Sequence, residues 1–279
     1  MCNLEKFKPE NYNKLTKAKK KEIIIELANE IFKNLGIAPI PVLFSSDVSF
    51  KKTCGKFQNH PACIYINSFF LDNEVAKNYI SKLIDVYKYI PYQLVTTIAH
   101  ECYHYYQFCL INKMVKGEEL TSEEKDMACL YFVSLYERLF NSFCKKKGIS
   151  IKDRINEKDL YTYSPTEIAA NNYALSFVSQ LGNIDNKDNY NYYLVLSALE
   201  SFTTPNNQEE SDEKADAVFD HNLKTALIFL KHKNDNSGFK AKYLDIDEEE
   251  LMERVLRAKE KLRSQETLIQ NIINKIHGK

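Results

Sequence analysis

The sequence predicts an α+β protein that is mostly helical, with one small sheet. Two patterns carry this. Apolar residues recur at helical spacing in four long stretches, near residues 20–35, 92–107, 212–231 and 247–276. Short β-rich runs, broken by prolines and by Gln58-Asn-His-Pro61, are confined to residues 37–67. At 279 residues, 44% hydrophobic and 27% charged, the chain suits one large globular domain or two small ones. Lysine plus arginine balances aspartate plus glutamate at 38 each, so no basic field points to nucleic acid. No run is long and apolar enough for a membrane span. Seven scattered cysteines and a start without an apolar signal region predict reduced thiols and a cytoplasmic location.

In chain order, residues 1–20 read as a basic, solvated tail, with seven lysines against two acids by Lys21. Ile23, Ile24, Leu27, Ile31 and Leu35 then mark a helix that Gly36 ends. Ile37 to Phe44 reads as a loop and a short strand, and Ser49 to Phe57 and Ala62 to Asn67 as further strands. A mostly polar helix is expected near 73–87. After the stretch 92–107 and its stop at Gly117, Thr121 and Glu124 form a capping box that opens a helix to about Cys144, with Gly148 beyond it. Ser164-Pro165-Thr166-Glu167 opens another helix. Asp212 to Lys231 and Asp247 to Ile276 complete the set.

The stretch that carries chemistry is His100-Glu101-Cys102-Tyr103-His104. Residues four apart share a helix face, so both imidazoles can reach one metal ion from adjacent turns, with Glu101 beside them. Val95, Ile98, Ala99, Cys102, Tyr106 and Cys109 form an ordinary core stripe, while His100, His104 and Gln107 fall roughly opposite. The histidines are therefore not incidental members of the apolar face. Cys54, His60 and Cys63 fit no closed zinc spacing.

A catalytic zinc takes three protein ligands and one open position. The metzincin continuation of this motif would need glycine at 107 and histidine at 110, where the chain has Gln107 and Leu110. Glu167 is the leading candidate. Ala170, Asn171, Ala174 and Val178 share its face, and the two alanines allow close approach to the histidine helix. Asn171 is placed to orient a ligand. A competing explanation is local, since glutamate also suits the fourth place of a Ser164 capping box. His221, Asp220 and Glu137 are the other candidates.

His-Glu-x-x-His followed by Gln107, with Pro165-x-Glu167-x-x-Ala170 on a later helix, resembles the gluzincin-type zinc metallopeptidases. The similarity is greater to the bacterial metallopeptidases of the ImmA/IrrE kind, and it covers roughly residues 21–182. Tyr173 stands where those relatives often carry phenylalanine. The resemblance implies a zincin-like core and one Zn2+ per chain, held by His100, His104 and Glu167. It implies hydrolysis of a peptide bond by metal-activated water with Glu101 as general base. A tyrosine, Tyr161 or Tyr163, would assist the oxyanion. A peptide or protein substrate would lie along a sheet edge, for which Ala62 to Asn67 is the candidate strand.

This divides the chain into a tail at 1–20, a catalytic domain at 21–185 and a helical region at 186–279. In that last region Leu251, Val255, Ala258, Leu262, Gln265, Ile269, Ile272 and Ile276 make a heptad seam. The seam suits packing on the protein's own domain, a partner helix or self-association. It also supports a reading of another class, a catalytically silent metal-stabilised interaction module. Glu101 favours the enzyme, because structural metal binding does not require it. A non-peptide amide or ester is a third possibility for the substrate.

Overall fold

The computed structural model describes residues 4–46, 54–72, 90–149, 155–179, 208–231 and 246–277. The helix expected near 73–87 lies outside them. The protein is α+β and mostly helical, with one three-stranded sheet among the described residues. It divides into two compact units, residues 1–106 with 170–203 and 268–279, and residues 107–169 with 204–267. No helix among the described residues is long and apolar enough to cross a membrane.

In the first unit, α1 (Pro9–Tyr12) leads to α2 (Lys17–Asn34). The Thr16 hydroxyl caps α2 by accepting from Lys19 N–H at 3.2 Å. Gly36 (φ 66°) ends it, with Ile37 N–H donating to Phe32 O at 3.0 Å and Gly36 N–H to Lys33 O at 3.1 Å. The segment read as a solvated tail is packed. Phe7 and Tyr12 are fully buried, and Lys20 donates to the Leu71 carbonyl at 3.1 Å with its ammonium 4.7 Å from the Tyr12 ring centre. Burial lowers the Lys20 pKa, partly opposed by Asp72. Two aromatic residues among many lysines were enough to anchor the segment, and lysine stems can cover apolar surface.

Strands β1 (Val42–Ser45), β2 (Gly55–Asn59) and β3 (Ala62–Asn67) form a sheet in the order β1-β3-β2. β3 pairs parallel with β1 and antiparallel with β2, in a register that sets Phe57 against Ile64. The expectation that Ala62–Asn67 is an edge strand is therefore overturned. β3 is central, and Cys63, Ile64, Ile66 and Asn67 are buried. Its near-continuous apolar run is what a strand covered on both sides requires. Among the described residues, the edges are β1 and β2.

The histidine helix is α3 (Ile90–Lys116). Leu94, Val95, Ile98, Ala99 and Cys102 join α2 and β3 in one core, which also takes Ala174, Leu175 and Val178 of α7 (Pro165–Ser179). The expected stripe holds to Cys102. Beyond it Tyr106 and Cys109 are half-buried, and Leu110 and Ile111 are buried instead. Gly117 (φ 69°) ends α3 with Glu118 N–H donating to Lys113 O at 2.9 Å.

The second unit holds α4 (Ser122–Leu135), α5 (Glu137–Lys146), α6 (Glu157–Thr162), α8 (Gln208–Lys231) and most of α9 (Glu248–His277). The Thr121–Glu124 capping box is formed at both bonds. The single helix expected to Cys144 breaks at Tyr136, where no glycine or proline signals it. The break seats Phe140 and Phe143 of α5 on Phe229 of α8, at 5.0 and 5.2 Å between ring centres.

Leu251, Val255, Ala258 and Leu262 of α9 are buried, so this half of the seam is already covered. The side chains of Ile269, Ile272 and Ile276 lie outside the described residues. Asp126 of α4 accepts from Arg254 at 2.8 Å and from Arg257 at 2.9 and 3.1 Å. Burial opposes ionisation of Asp126, but the guanidinium hydrogen bonds outweigh it and hold the carboxyl below its usual range. Stability from a depressed carboxyl is present above the unfolded value near 3.9 and is lost as pH falls through the folded one. Asp126→Asn is expected to lower unfolding free energy by about 1–2 kcal/mol at pH 7. In denaturant titrations across pH, that difference from wild type should shrink below about pH 4.

Candidate metal centre

His100 and His104 leave the same face of α3 one turn apart, and their Nε2 atoms stand 2.9 Å from each other. The rings meet edge to face at 4.5 Å between centres. Two nitrogens bound tetrahedrally to one zinc at about 2.0–2.1 Å would stand about 3.3 Å apart, so the observed separation, which is also that of a hydrogen bond, is close to what one shared ion needs. Glu167 completes the group. One ligand atom from each of His100, His104 and Glu167 lies within 4.8 Å of the others. The donor set, two imidazoles and one carboxylate, is chemically suited to zinc with an open position.

Contacts on each side of this group hold α3 and α7 together. Tyr103 and Tyr173 stack at 4.7 Å within the first unit. Within the second, Gln107 Nε2 donates to the Thr166 carbonyl at 2.9 Å, and Gln107 is fully buried. His100, His104 and Gln107 thus share one face of α3, and the last of them ties down the residue before Glu167. Ala170 and Ala174 are fully buried, as close approach of the helices demands.

The local alternative for Glu167 is a capping box with Ser164. Its hydroxyl lies 2.6 Å from Thr166 Oγ1 and accepts from Thr166 N–H at 3.3 Å, while its own N–H donates to Tyr161 O. The serine's groups engage partners other than Glu167. Asn171, expected to orient a ligand, instead has a buried Oδ1 that accepts no hydrogen bond.

Glu101 stands outside the three-residue group and is 8% exposed. Its Oε2 accepts from the Phe57 N–H of β2 at 2.6 Å. In the antiparallel register, Phe57 belongs to the set of β2 residues whose N–H groups point away from β3. The outer edge of the sheet therefore orients this carboxylate. One turn earlier on α3, Thr97 lies against Gly55, where an added Cβ would come 2.9 Å from Thr97 Cγ2 and 3.0 Å from Tyr65 O. The missing side chain lets α3 cross β2 closely enough for the Phe57–Glu101 bond.

The other candidate ligands lie elsewhere. The side chain of Asp220 is 75% exposed and faces Lys259. His221 and Glu137 pair with each other at 3.3 Å. Cys54, His60 and Cys63 form no metal-holding group among the described residues. Tyr161 lines a cleft that also includes Glu167, whereas Tyr163 packs under the Lys214 ammonium at 5.8 Å. Sequence reasoning placed Gln107 on the right face but missed its bond, and it missed the Phe57 amide altogether.

No protein family, no curated protein and no solved structure matches this chain. Gln107→Leu is expected to leave the Thr166 carbonyl without its donor and to cost about 1–3 kcal/mol in denaturant unfolding. A neutral result would mean that the bond does not hold α7 in place.

Proposed function

We propose that this protein is a zinc-dependent peptidase built on a zincin-like core. The observation that supports the reading is the grouping of His100, His104 and Glu167, with Glu101, next to His100 in the chain, outside the group and held by the Phe57 N–H. In this reading the two imidazoles and the Glu167 carboxylate hold one zinc ion. Bound there, zinc would supply Lewis acidity, polarising a carbonyl and favouring ionised water. Glu101 accepts the proton of the attacking water and passes it to the leaving amine. The Phe57 N–H keeps one oxygen of Glu101 oriented and leaves the other for that transfer. The Tyr161 hydroxyl, on the cleft that Glu167 lines, is the candidate oxyanion donor. A metal site serving only structure would not need a buried, oriented carboxylate next to its ligands.

Purified protein is expected to hold close to one equivalent of zinc by elemental analysis, lost in His104→Ala. Glu101→Gln keeps an oxygen for Phe57 N–H, so zinc content and melting temperature should stay near wild type while peptide hydrolysis falls by about 10²–10⁴-fold. Full activity in that variant would overturn the mechanism. Glu167→Gln should weaken zinc binding by about tenfold or more, because an amide replaces a charged donor. Unchanged affinity would remove Glu167 from the site.

A further inference from the structure

The second unit contains a cleft of about 1130 Å³, a volume suited to an organic group rather than a lone ion. Ser164, Thr166 and Glu167 line part of it, so the cleft reaches the carboxylate of the metal group. It is also lined by Glu137 and Asn141 of α5 and by His221 and Asn222 of α8. Glu137 and His221 are each 6% exposed and Asn222 is 2% exposed. A cluster of this polarity is costly to bury in a helical unit unless its groups find partners.

The partners it has identify those it lacks. Glu137 Oε1 accepts from Asn141 Nδ2 and lies 3.3 Å from His221 Nε2. A carboxylate oxygen accepts, so the ring donates from Nε2, and in the tautomer with its proton there the lone pair is on Nδ1. Asn141 Nδ2 is also 3.2 Å from that Nε2, and as a second donor it is directed to the carboxylate. His221 Nδ1 and Asn222 Oδ1 are buried and have no hydrogen-bond partner. With His221 in that tautomer, the cluster sets acceptors around the Glu137 carboxylate. That set is matched by a donor with positive charge. Arg138 and Lys145 also line the cleft, but both are exposed at its rim, where solvent and salt screen them more than they screen a buried carboxylate. A second divalent ion is disfavoured, because only His100, His104 and Glu167 bring three ligand atoms together among the described residues.

We infer that the Glu137–His221–Asn222 cluster is a recognition pocket for a basic side chain, a lysine ammonium or arginine guanidinium, on the substrate. This rests on the peptidase reading for what the bound peptide is used for, but not for the pocket itself. The cluster selects the cation, and the cleft connects it to Glu167.

The test compares N-acetyl-lysine amide with N-acetyl-norleucine amide, which differ in the charged end. Binding to the full-length protein is followed by NMR, and zinc content and peptide hydrolysis are measured on the same samples. The lysine probe is expected to bind at least tenfold more tightly than the norleucine probe. Glu137→Gln should reduce that preference at least tenfold with zinc content unchanged, and His221→Gln should weaken it as well. Equal affinity of the two probes for wild type would overturn the inference, even if Glu137→Gln fails to fold. So would a preference that survives in a folded Glu137→Gln, or a second equivalent of zinc that Glu137→Gln removes. A lysine preference in protein that holds no zinc and hydrolyses nothing would support the pocket and defeat the peptidase reading. Zinc and hydrolysis without any preference would do the reverse.

Discussion

Two imidazoles one helical turn apart cannot close a metal site, so everything at this centre depends on bringing a carboxylate from another helix to within coordination distance. The buried bond from Gln107 to the Thr166 carbonyl is the direct tie, because it fixes the backbone immediately before Glu167. The tyrosine stack of Tyr103 on Tyr173 holds the same two helices further along. Small residues at 170 and 174 keep their axes close. Together they limit where Glu167 can reach, through hydrogen bonding and packing.

The sheet serves a different purpose. Its strand β2 presents amides at an outer edge, and α3 crosses that edge near enough for one of them to hold Glu101. The absence of a side chain at Gly55 and the small Thr97 make this approach possible. Tyr105 extends the contact, with its ring 5.7 Å from both Phe57 and Phe32. The group that would move protons is thus oriented by the sheet, while the groups that would hold a metal are oriented by helix packing. Separate supports of this kind keep Glu101 apart from the group formed by His100, His104 and Glu167.

In the second unit, aromatic packing and ion pairs build a frame beside a polar cleft wall. α9 is bound to α4 through Asp126 and to α8 through Lys259 and Asp216, at 2.9 Å. Its first apolar residues are covered by that frame. On the cleft wall beside Glu137, His221 Nδ1 and Asn222 Oδ1 are buried without a hydrogen-bond partner.

What the sequence determined by itself is local. The shared face of His100 and His104, the helix stops at Gly36 and Gly117, the Thr121–Glu124 capping box, Pro165 at the start of α7 and the limits of β3 all follow from periodicities and end signals spanning a few residues. Glu167 was also legible, but only as one of several candidates, because its spacing from the histidines carries no geometric information. The tertiary structure decided the rest. It made β3 central rather than an edge, since strand order depends on which distant segment supplies hydrogen bonds. It buried Phe7 and Tyr12 in a segment whose charge suggests solvent. Asp220 and His221 are neighbours in sequence, yet one is exposed and the other faces Glu137 from 84 residues away. Partners that far apart leave no trace in local pattern, and only packing of the whole chain brings them together.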